Sequence, residues 1–286
     1  MAKFTASVVQ MRSGVDVAAN VASFDELVRA AAAQGAQYVQ TPEMTGLVQS
    51  DRNAFFEAIQ PQRDDAIVVA ASRLAHELSI HLHVGSTPVK VADGMAANRA
   101  LLYGPDGKLI DTYDKIHMFD VDLDNDESWR ESAVYRPGEE AVLVDVLGTK
   151  LAMAICYDVR FPELHTTYAR AGAEVLTGPS CFTRQTGKAH WHTLLRSRAI
   201  ETGSFMIAAA QGGEHEDGRT TYGHSLIVDP WGEIIAEVPG EEPGIALAEI
   251  DTDKVIQARS KVPNLVNYRA YSLRHSGSPG GLEQVA

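Results

Sequence analysis

The stretch LAMAICYDVRFPEL, residues 151–164, places a cysteine between an apolar segment and the start of a helix. Residues 151–155 form a short apolar run that is consistent with a buried strand, and Pro162 suits the first turn of a helix. Cys156 therefore follows directly after a strand end. Ligands bind at the carboxyl ends of the strands in α/β sheets, so this turn is a candidate position for a functional side chain.

Strand and helix patterns alternate on both sides of this stretch. Apolar segments predict strands at 4–10, 38–40, 80–85, 100–103, 109–113, 141–144, 151–155, 174–177, 205–210, 225–228, 234–238 and 245–250. Helical patterns occupy roughly 17–33, 64–78, 162–171, 189–202 and 252–259. So many strands exceed one simple doubly wound sheet, whereas two packed sheets flanked by helices would accommodate them.

The composition is that of an ordinary globular protein. Of the 286 residues, 45% are hydrophobic and 22% are charged, which excludes a disordered or low-complexity chain. The net charge of −13 argues against nucleic-acid and membrane-surface partners. No apolar run approaches the roughly 18 residues that a membrane span needs. We expect one domain over residues 1–274 and a C-terminal tail, 275–286, that is flexible or lies at a subunit interface.

The cysteine usage bears on the compartment. Two cysteines, Cys156 and Cys181, are too few for a disulfide framework in a chain of this length. The N-terminal MAKFTASVVQ also lacks the long apolar stretch of a signal peptide. These observations predict a cytoplasmic protein whose two thiols are reduced.

Both cysteines follow predicted strand ends, and each is a candidate nucleophile. Backbone N–H groups at such a turn lower the pKa of a thiol and can hold an oxyanion. A cysteine that only packs in the core is the alternative for either residue. Nothing local in the sequence separates Cys156 from Cys181.

A cysteine nucleophile needs a base and a group that neutralises the oxyanion. Glu43 ends a predicted strand in YVQTPEM (38–44), where Pro42 biases Thr41 toward extended geometry. Lys115 also follows a predicted strand. A carboxylate can act as the base if a closed pocket raises its pKa. An exposed charge is the alternative for both residues.

Metal-binding patterns are weak in this sequence. None of the ten histidines forms the i, i+4 helical pair of a zinc hydrolase. Asp120, Asp122, Asp124 and Glu131 fit a calcium-loop pattern, but Asn125 stands where the tight turn needs glycine. A solvated acidic loop is the better interpretation, and we expect no metal. The motifs GxGxxG, Walker A and GxSxG are also absent from the sequence.

Several longer motifs follow one another from about residue 4 to 262. They are TPEM (41–44), YDKIHMFDVD (113–122), ES (131–132), AICYDVRFPEL (154–164), ARAGAEVLTGPSCFT (169–183), GKAHWHTLLRSRAIE (187–201), AAAQ (208–211) and TYGHSLIVDPWGEI (221–234). In content and order they resemble the nitrilase superfamily of carbon–nitrogen hydrolases.

This resemblance implies a role for each of four side chains. Cys156 would be the nucleophile, Glu43 the general base and Lys115 the group that stabilises the tetrahedral intermediate. Glu131, at the position of the family's second glutamate, would orient the site and assist proton transfer. The backbone N–H of Tyr157 would share the oxyanion with Lys115.

The resemblance also implies a fold and an assembly. Members of the superfamily form a four-layer αββα sandwich, which agrees with the two sheets expected from the strand pattern. They usually associate as homodimers or higher homo-oligomers. Their hydrolysis proceeds through a thioester and requires neither a metal nor an organic cofactor.

Residues 154–164, 187–201 and 221–232 resemble the branch that contains deaminated glutathione amidase and ω-amidase. We therefore expect a small-molecule substrate that carries an ω-amide and a carboxylate, which is hydrolysed to an acid and ammonia. A cation should line the pocket to bind the carboxylate. The candidates are Arg160, Arg184 and His190. Tyr157, Phe182 and Thr183 are the other expected substrate-binding residues.

The segment TGPSCF (177–182) departs from that branch. Gly178 and Cys181 stand where the relatives commonly carry an aromatic residue and alanine. The resemblance makes Cys181 a packing or pocket-wall residue.

Two other functions are compatible with the same motifs. An N-carbamoyl amine or amino-acid hydrolase would release carbon dioxide as well as ammonia, and a nitrilase would consume a nitrile. A catalytically silent scaffold is a third hypothesis, of another class. The presence of all four catalytic residue types counts against it.

Overall fold

Two six-stranded sheets form the framework of the protein. The computed structural model describes residues 2–92, 94–123, 128–274 and 282–283. The strands are β1 (Lys3–Gln10), β2 (Tyr38–Gln40), β3 (His81–Ala92), β4 (Met95–Tyr103), β5 (Leu109–Asp114), β6 (Asp120–Asp122), β7 (Ser128–Arg130), β8 (Val142–Val146), β9 (Thr149–Met153), β10 (Val175–Thr177), β11 (Phe205–Ala208), β12 (Gly212–Glu214), β13 (Thr220–Tyr222), β14 (Leu226–Val228), β15 (Ile234–Glu237), β16 (Gly244–Asp251), β17 (Leu273–Arg274) and β18 (Leu282–Glu283). The helices are α1 (Val17–Ala33), α2 (Arg52–Ala58), α3 (Ala66–Leu78), α4 (Pro162–Arg170), α5 (Arg184–Thr202) and α6 (Asp253–Lys261).

Both sheets are mixed, with parallel strands at the centre. The first has the order β16-β1-β2-β3-β4-β5, and the second β15-β14-β11-β10-β9-β8. Strands β1, β2 and β3 run parallel, as do β9, β10 and β11, and the outer strands are antiparallel. The carboxyl ends of the parallel strands in each sheet therefore lie at one edge, where α/β proteins bind ligands.

Alternation along the strands divides the side chains between two cores. Val8 and Tyr38 of the first sheet share one hydrophobic cluster with Leu151 and Leu176 of the second sheet, so the sheets pack face to face. The next residues, such as Val9, point the other way. They pack in a second cluster with residues of α1 and α3.

Helices α4 and α5 complete the layers. Tyr168 of α4 and Trp191 and Leu195 of α5 belong to the cluster that contains the second sheet. With α1 and α3 on the far side of the first sheet, the layers are helix, sheet, sheet and helix. The predicted αββα sandwich is confirmed.

Local capping explains where several helices begin. The side chains of Asp16, Asp51 and Asp65 accept hydrogen bonds from backbone N–H groups in the first turns of α1, α2 and α3. Thr183 does the same for α5, which starts at Arg184, five residues before the predicted start at 189. The sequence pattern missed α2 because this helix is only seven residues long, although the Asp51 cap was a usable signal.

The predicted strands all overlap strands of the structure. The main differences are β3 and β4, which form a longer hairpin than expected, and the short hairpins β6–β7 and β12–β13, which the pattern did not indicate. Of the predicted tail 275–286, only residues 282 and 283 are described, paired with 273 and 274, and the rest lies outside the described residues. Within the residues described, no helix combines the length and the apolar character that crossing a membrane requires.

Candidate active site

The four side chains predicted to carry the chemistry come from loops that follow different strands. Glu43 lies three residues after β2, and Lys115 follows β5 directly. Glu131 opens a short 3-10 helix after β7, and Cys156 opens another after β9. The structure brings all four together at the edge of the sandwich, where they line one cavity.

Lys115 lies at the centre of this group. Its ammonium donates to Oε1 of Glu43 at 2.9 Å and to both carboxylate oxygens of Glu131 at 2.9 and 3.0 Å. The side chains of Lys115 and Glu43 are only 2% and 4% exposed. One cation therefore neutralises two buried carboxylates in part, and the three charged groups sum to −1.

Further donors fix the two carboxylates. Asn98 of β4 donates from Nδ2 to Oε1 of Glu43 at 2.8 Å and to Oε1 of Glu131 at 3.1 Å. The backbone N–H of Cys181 donates to Oε2 of Glu43, and that of Phe119 donates to Oε2 of Glu131, at 2.7 and 2.6 Å. Sequence reasoning missed Asn98, because a single asparagine within a strand carries no local signal. The register of β4 with β5, continued by the hydrogen bond from the Lys115 N–H to the Asn98 carbonyl, places it beside Lys115.

Cys156 adopts a backbone conformation that is rare for a side-chain-bearing residue. Its φ is +48°, in the left-handed region, where non-glycine residues are uncommon. Its N–H donates to the carbonyl of Pro179 at 2.9 Å, which ties this turn to the loop after β10. Strained backbone of this kind clusters at active sites, where the surrounding structure holds it.

Asp158 supports the same turn from inside the protein. Its buried carboxylate accepts from the Ile155 N–H at 2.8 Å and from the Tyr113 hydroxyl at 2.7 Å. The other oxygen accepts from the backbone N–H of His117 at 3.1 Å and lies 2.7 Å from Nδ1 of the His117 ring. Asp158 therefore links the Cys156 turn to the segment after β5 that carries Lys115. No local sequence pattern indicated this role for Asp158.

The charge arrangement sets the protonation of the resting site. Burial would raise the pKa of Glu43, but the Lys115 charge and the hydrogen bonds that the carboxylate accepts lower it overall. Burial and the Glu43 charge raise the pKa of Cys156 well above its usual value. Burial would lower the pKa of Lys115, but the charges of Glu131 and Glu43 outweigh it and raise it. The pocket therefore does not raise the pKa of Glu43, because it contains a paired cation, and Glu43 is available as a base because it is ionised. The resting site holds a thiol beside an ionised carboxylate.

The cavity above Cys156 has a volume of about 420 Å³. Its wall includes three of the predicted substrate-binding residues, Tyr157, Phe182 and Thr183, and also Cys181. Aromatic and aliphatic side chains make up much of the remainder. These are Met44, Leu47, Val48, Phe55, Phe119, Trp129, Val134 and Tyr135.

The predicted cations lie elsewhere. Arg160 is not among the residues that line the cavity. Its guanidinium carbon lies 5.2 Å from the centre of the Phe182 ring, and its terminal nitrogens lie 3.3 and 3.4 Å from Nδ1 of His190. Arg184 forms a bidentate ion pair with Glu241 at 2.6 and 2.7 Å. The arginines that line the cavity are instead Arg52, Arg130 and Arg219, none of which was predicted to bind the substrate.

One group among the described residues has the composition of a metal site. Ligand atoms of His192, His224 and Glu237 lie within 4.8 Å of one another. Both rings already lie within hydrogen-bond distance of Oε1 of Glu237, at 3.1 and 2.7 Å. All three side chains are partly exposed, and none of them lines the cavity.

Known proteins resemble this chain in sequence and fold. Deaminated glutathione amidase from Synechocystis is 38% identical over 274 residues, which cover 93% of this chain and 98% of that protein. The human omega-amidase NIT2 is 33% identical, with 92% and 94% covered. The crystal structure of Saccharomyces cerevisiae Nit3, a member of branch 10 of the nitrilase superfamily, superposes with a TM-score of 0.81 at 31% identity and covers 92% of this chain and 95% of its own.

The model of the carbon-nitrogen hydrolase family matches residues 5–260. This range includes both sheets and every residue of the cluster around Lys115. It agrees with the resemblance that the sequence motifs indicated. The chain therefore belongs to the carbon-nitrogen hydrolase family and is a hydrolase that acts on carbon–nitrogen bonds.

Proposed function

We propose that the protein is a cysteine-dependent amidase that hydrolyses a small carboxylate-bearing ω-amide to the acid and ammonia. The observation that carries this proposal is the buried group of Glu43, Lys115 and Glu131, which lines the same cavity as the strained Cys156. A structural cysteine needs neither a paired carboxylate nor an open cavity beside it.

The first half-reaction uses the ionised Glu43 as the base. Glu43 takes the thiol proton as the sulfur of Cys156 bonds to the amide carbon, and the carbonyl oxygen becomes an oxyanion. The Lys115 ammonium and the backbone N–H of Tyr157 stabilise that oxyanion. The carbon–nitrogen bond then breaks as protonated Glu43 donates its proton to the nitrogen. Ammonia leaves, and the acyl group remains on sulfur as a thioester.

The second half-reaction hydrolyses the thioester. Glu43 accepts a proton from water as the water oxygen attacks the thioester carbon, and Lys115 again stabilises the oxyanion. The carbon–sulfur bond breaks, the sulfur recovers the proton, and the acid leaves. Glu131 keeps the Lys115 ammonium in place throughout, since it holds it with two oxygens. No step needs a metal or an organic cofactor.

The substrate class rests on the relatives. The Synechocystis protein is a deaminated glutathione amidase and the human protein is an omega-amidase, so the proposed substrate resembles deaminated glutathione or α-ketoglutaramate. A cavity of about 420 Å³ suits a molecule of this size. Tyr157, Phe182 and Thr183 would contact it.

Ammonia release from a panel of compounds tests the proposal. The panel contains deaminated glutathione, α-ketoglutaramate, glutaramate, N-carbamoyl amino acids and simple nitriles, each with the wild type and with Cys156→Ala. We expect one ω-amide to be turned over far above the rest by the wild type only. Turnover of carbamoyl compounds or nitriles alone would replace the proposal with the corresponding hydrolase of the same superfamily. Turnover that survives in Cys156→Ala would refute the assigned nucleophile.

The proposal also includes the oligomeric state, the domain organisation and the location of the enzyme. We expect a homodimer, one catalytic domain over residues 1–274 and a cytoplasmic location, as the sequence motifs and the cysteine usage indicate. Analytical ultracentrifugation of the purified protein tests the homodimer.

A further inference from the structure

Arg219 lies on the wall of the cavity that contains Cys156. It precedes β13, in the turn that joins β12 to β13. Its side chain is only 17% exposed, and its guanidinium carbon lies 4.6 Å from the centre of the Trp129 ring. Trp129 lines the same cavity. A cation is thus held at low exposure in the substrate space.

The guanidinium makes few hydrogen bonds for a charge of such low exposure. Its nearest carboxylate oxygen, Oδ2 of Asp217, lies 3.6 Å from a terminal nitrogen, which is too long for a hydrogen bond. Another terminal nitrogen lies 3.8 Å from the sulfur of Cys181, a weak acceptor. Nε is buried and has no hydrogen-bond partner among the described residues. A guanidinium offers five N–H donors, and buried charges are normally paired and hydrogen-bonded.

The other cations on the cavity wall are engaged or exposed. Lys115 donates to Glu43 and Glu131. Arg130 is half exposed and pairs with both oxygens of Asp122. Arg52 is exposed and donates to a backbone carbonyl. Arg219 is therefore the cavity cation, within the described residues, that combines low exposure with unused donors.

We infer that Arg219 binds the carboxylate of the substrate and thereby sets the preference for anionic amides. This inference rests on the proposed amidase function. A guanidinium presents two parallel N–H donors that match the two oxygens of a carboxylate. A bound carboxylate would therefore supply the hydrogen bonds that the protein does not give to Arg219. Asp217 acts as a positioning residue, since its Oδ1 accepts from the backbone N–H of Arg219 at 3.0 Å while its Oδ2 faces the guanidinium.

Two matched amides separate recognition of the carboxylate from catalysis. Glutaramate carries an amide and a carboxylate, whereas glutaramide carries a second, neutral amide in place of the carboxylate. Turnover of both is measured for the wild type, Arg219→Met, Arg219→Lys and the control Arg160→Met. Binding of both is measured by calorimetry in the inactive Cys156→Ala background, with and without Arg219→Met, so that affinity is obtained without turnover.

We expect Arg219→Met to lower kcat/KM and affinity for glutaramate by about 10- to 100-fold, the range for hydrogen bonds to a charged group. The values for glutaramide should stay within about threefold, and Arg219→Lys should retain part of the preference. Arg160→Met should lose none of it.

Three outcomes would overturn the inference. The first is an equal loss for both amides in Arg219→Met, which would indicate a structural role. The second is a selective loss in Arg160→Met instead. The third is a Cys156→Ala protein that binds glutaramate no better than glutaramide. If the wild type hydrolyses neither these amides nor any other ω-amide of the panel, the proposed function fails, and calorimetry with glutaramate still decides whether Arg219 binds the carboxylate.

Discussion

The ammonium of Lys115 lies 2.9 Å from Oε1 of Glu43, and both side chains are almost completely buried. This contact decides which of two neighbouring groups holds a proton at rest. Because Lys115 stabilises the carboxylate, Glu43 is ionised, and because Glu43 is ionised, the adjacent Cys156 stays a thiol. The site thus stores its base and its nucleophile in the states that the first step consumes.

Replacing Lys115 should affect stability as well as turnover. In Lys115→Met, Glu43 and Glu131 lose their shared cation, and breaking a buried ion pair in this way costs about 3–5 kcal/mol. We expect the free energy of unfolding, measured with denaturant, to fall by this amount, and ammonia release to be lost. The double variant Lys115→Met/Glu131→Gln should recover stability without recovering activity. A Lys115→Met protein as stable as the wild type would contradict the pairing.

Removing the sulfur should affect activity differently at the two cysteines. Cys156→Ala should abolish ammonia release while circular dichroism and the melting temperature stay near those of the wild type. Cys181 holds Glu43 through its backbone N–H, which alanine retains. Cys181→Ala should therefore keep kcat within about threefold. A Cys181→Ala protein without activity would show that the side chain does more than line the cavity.

Asp158 should affect kcat more than KM, because it supports the Cys156 turn and is not among the residues that line the cavity. Asparagine would place an NH₂ group, itself a donor, against some of the groups that donate hydrogen bonds to Asp158. We expect Asp158→Asn to lower kcat at least tenfold, with KM within about threefold. The free energy of unfolding should fall by about 2–3 kcal/mol.

Tyr113→Phe is the matched control for Asp158→Asn. It removes one hydroxyl donor and leaves the Asp158 carboxylate with its other partners. We expect kcat within about threefold and a loss of stability of about 1 kcal/mol. Equal effects of both variants on kcat would indicate that the carboxylate does not position the turn.

His83 should make stability depend on pH below neutrality. Burial lowers the pKa of this histidine to about 3 in the folded protein, against about 6.5 for an exposed histidine. The neutral His83 therefore contributes fully to the free energy of unfolding above pH 6.5, and this contribution is lost as the pH falls toward 3. We expect His83→Gln, which keeps an acceptor for the Tyr38 hydroxyl, to flatten the decline in unfolding free energy over this range. The exposed control His76→Gln should leave the wild-type slope unchanged.

The layers of the fold could be predicted because each depends on local patterns. Apolar strands and amphipathic helices can be recognised from the pattern of neighbouring residues, and Pro162 marks where α4 begins. The hairpins β6–β7 and β12–β13 escaped prediction because their three-residue strands are largely polar. Such strands form because the structure around them supplies the partners.

The residues of the site also divide into those that could be predicted from the sequence and those that could not. Glu43, Lys115, Glu131 and Cys156 stand in motifs that a family resemblance can place. Asn98, Asp158 and Arg219 matter here because of what lies opposite them after the sheets have packed. No window of sequence contains both partners of the Asn98–Glu43 contact, which are 55 positions apart.

The pairing of β1 with β16 has a consequence for synthesis. The first strand of the chain joins an edge strand made near the end, in register from Lys3 opposite Asp251 to Gln10 opposite Gly244. A nascent chain that has not yet reached residue 244 leaves one edge of β1 open, and open edges invite pairing with other chains. The ribosome must therefore deliver residues 244–251 before this edge of the sheet that positions Glu43 is covered. Interrupted products would be both inactive and prone to aggregate.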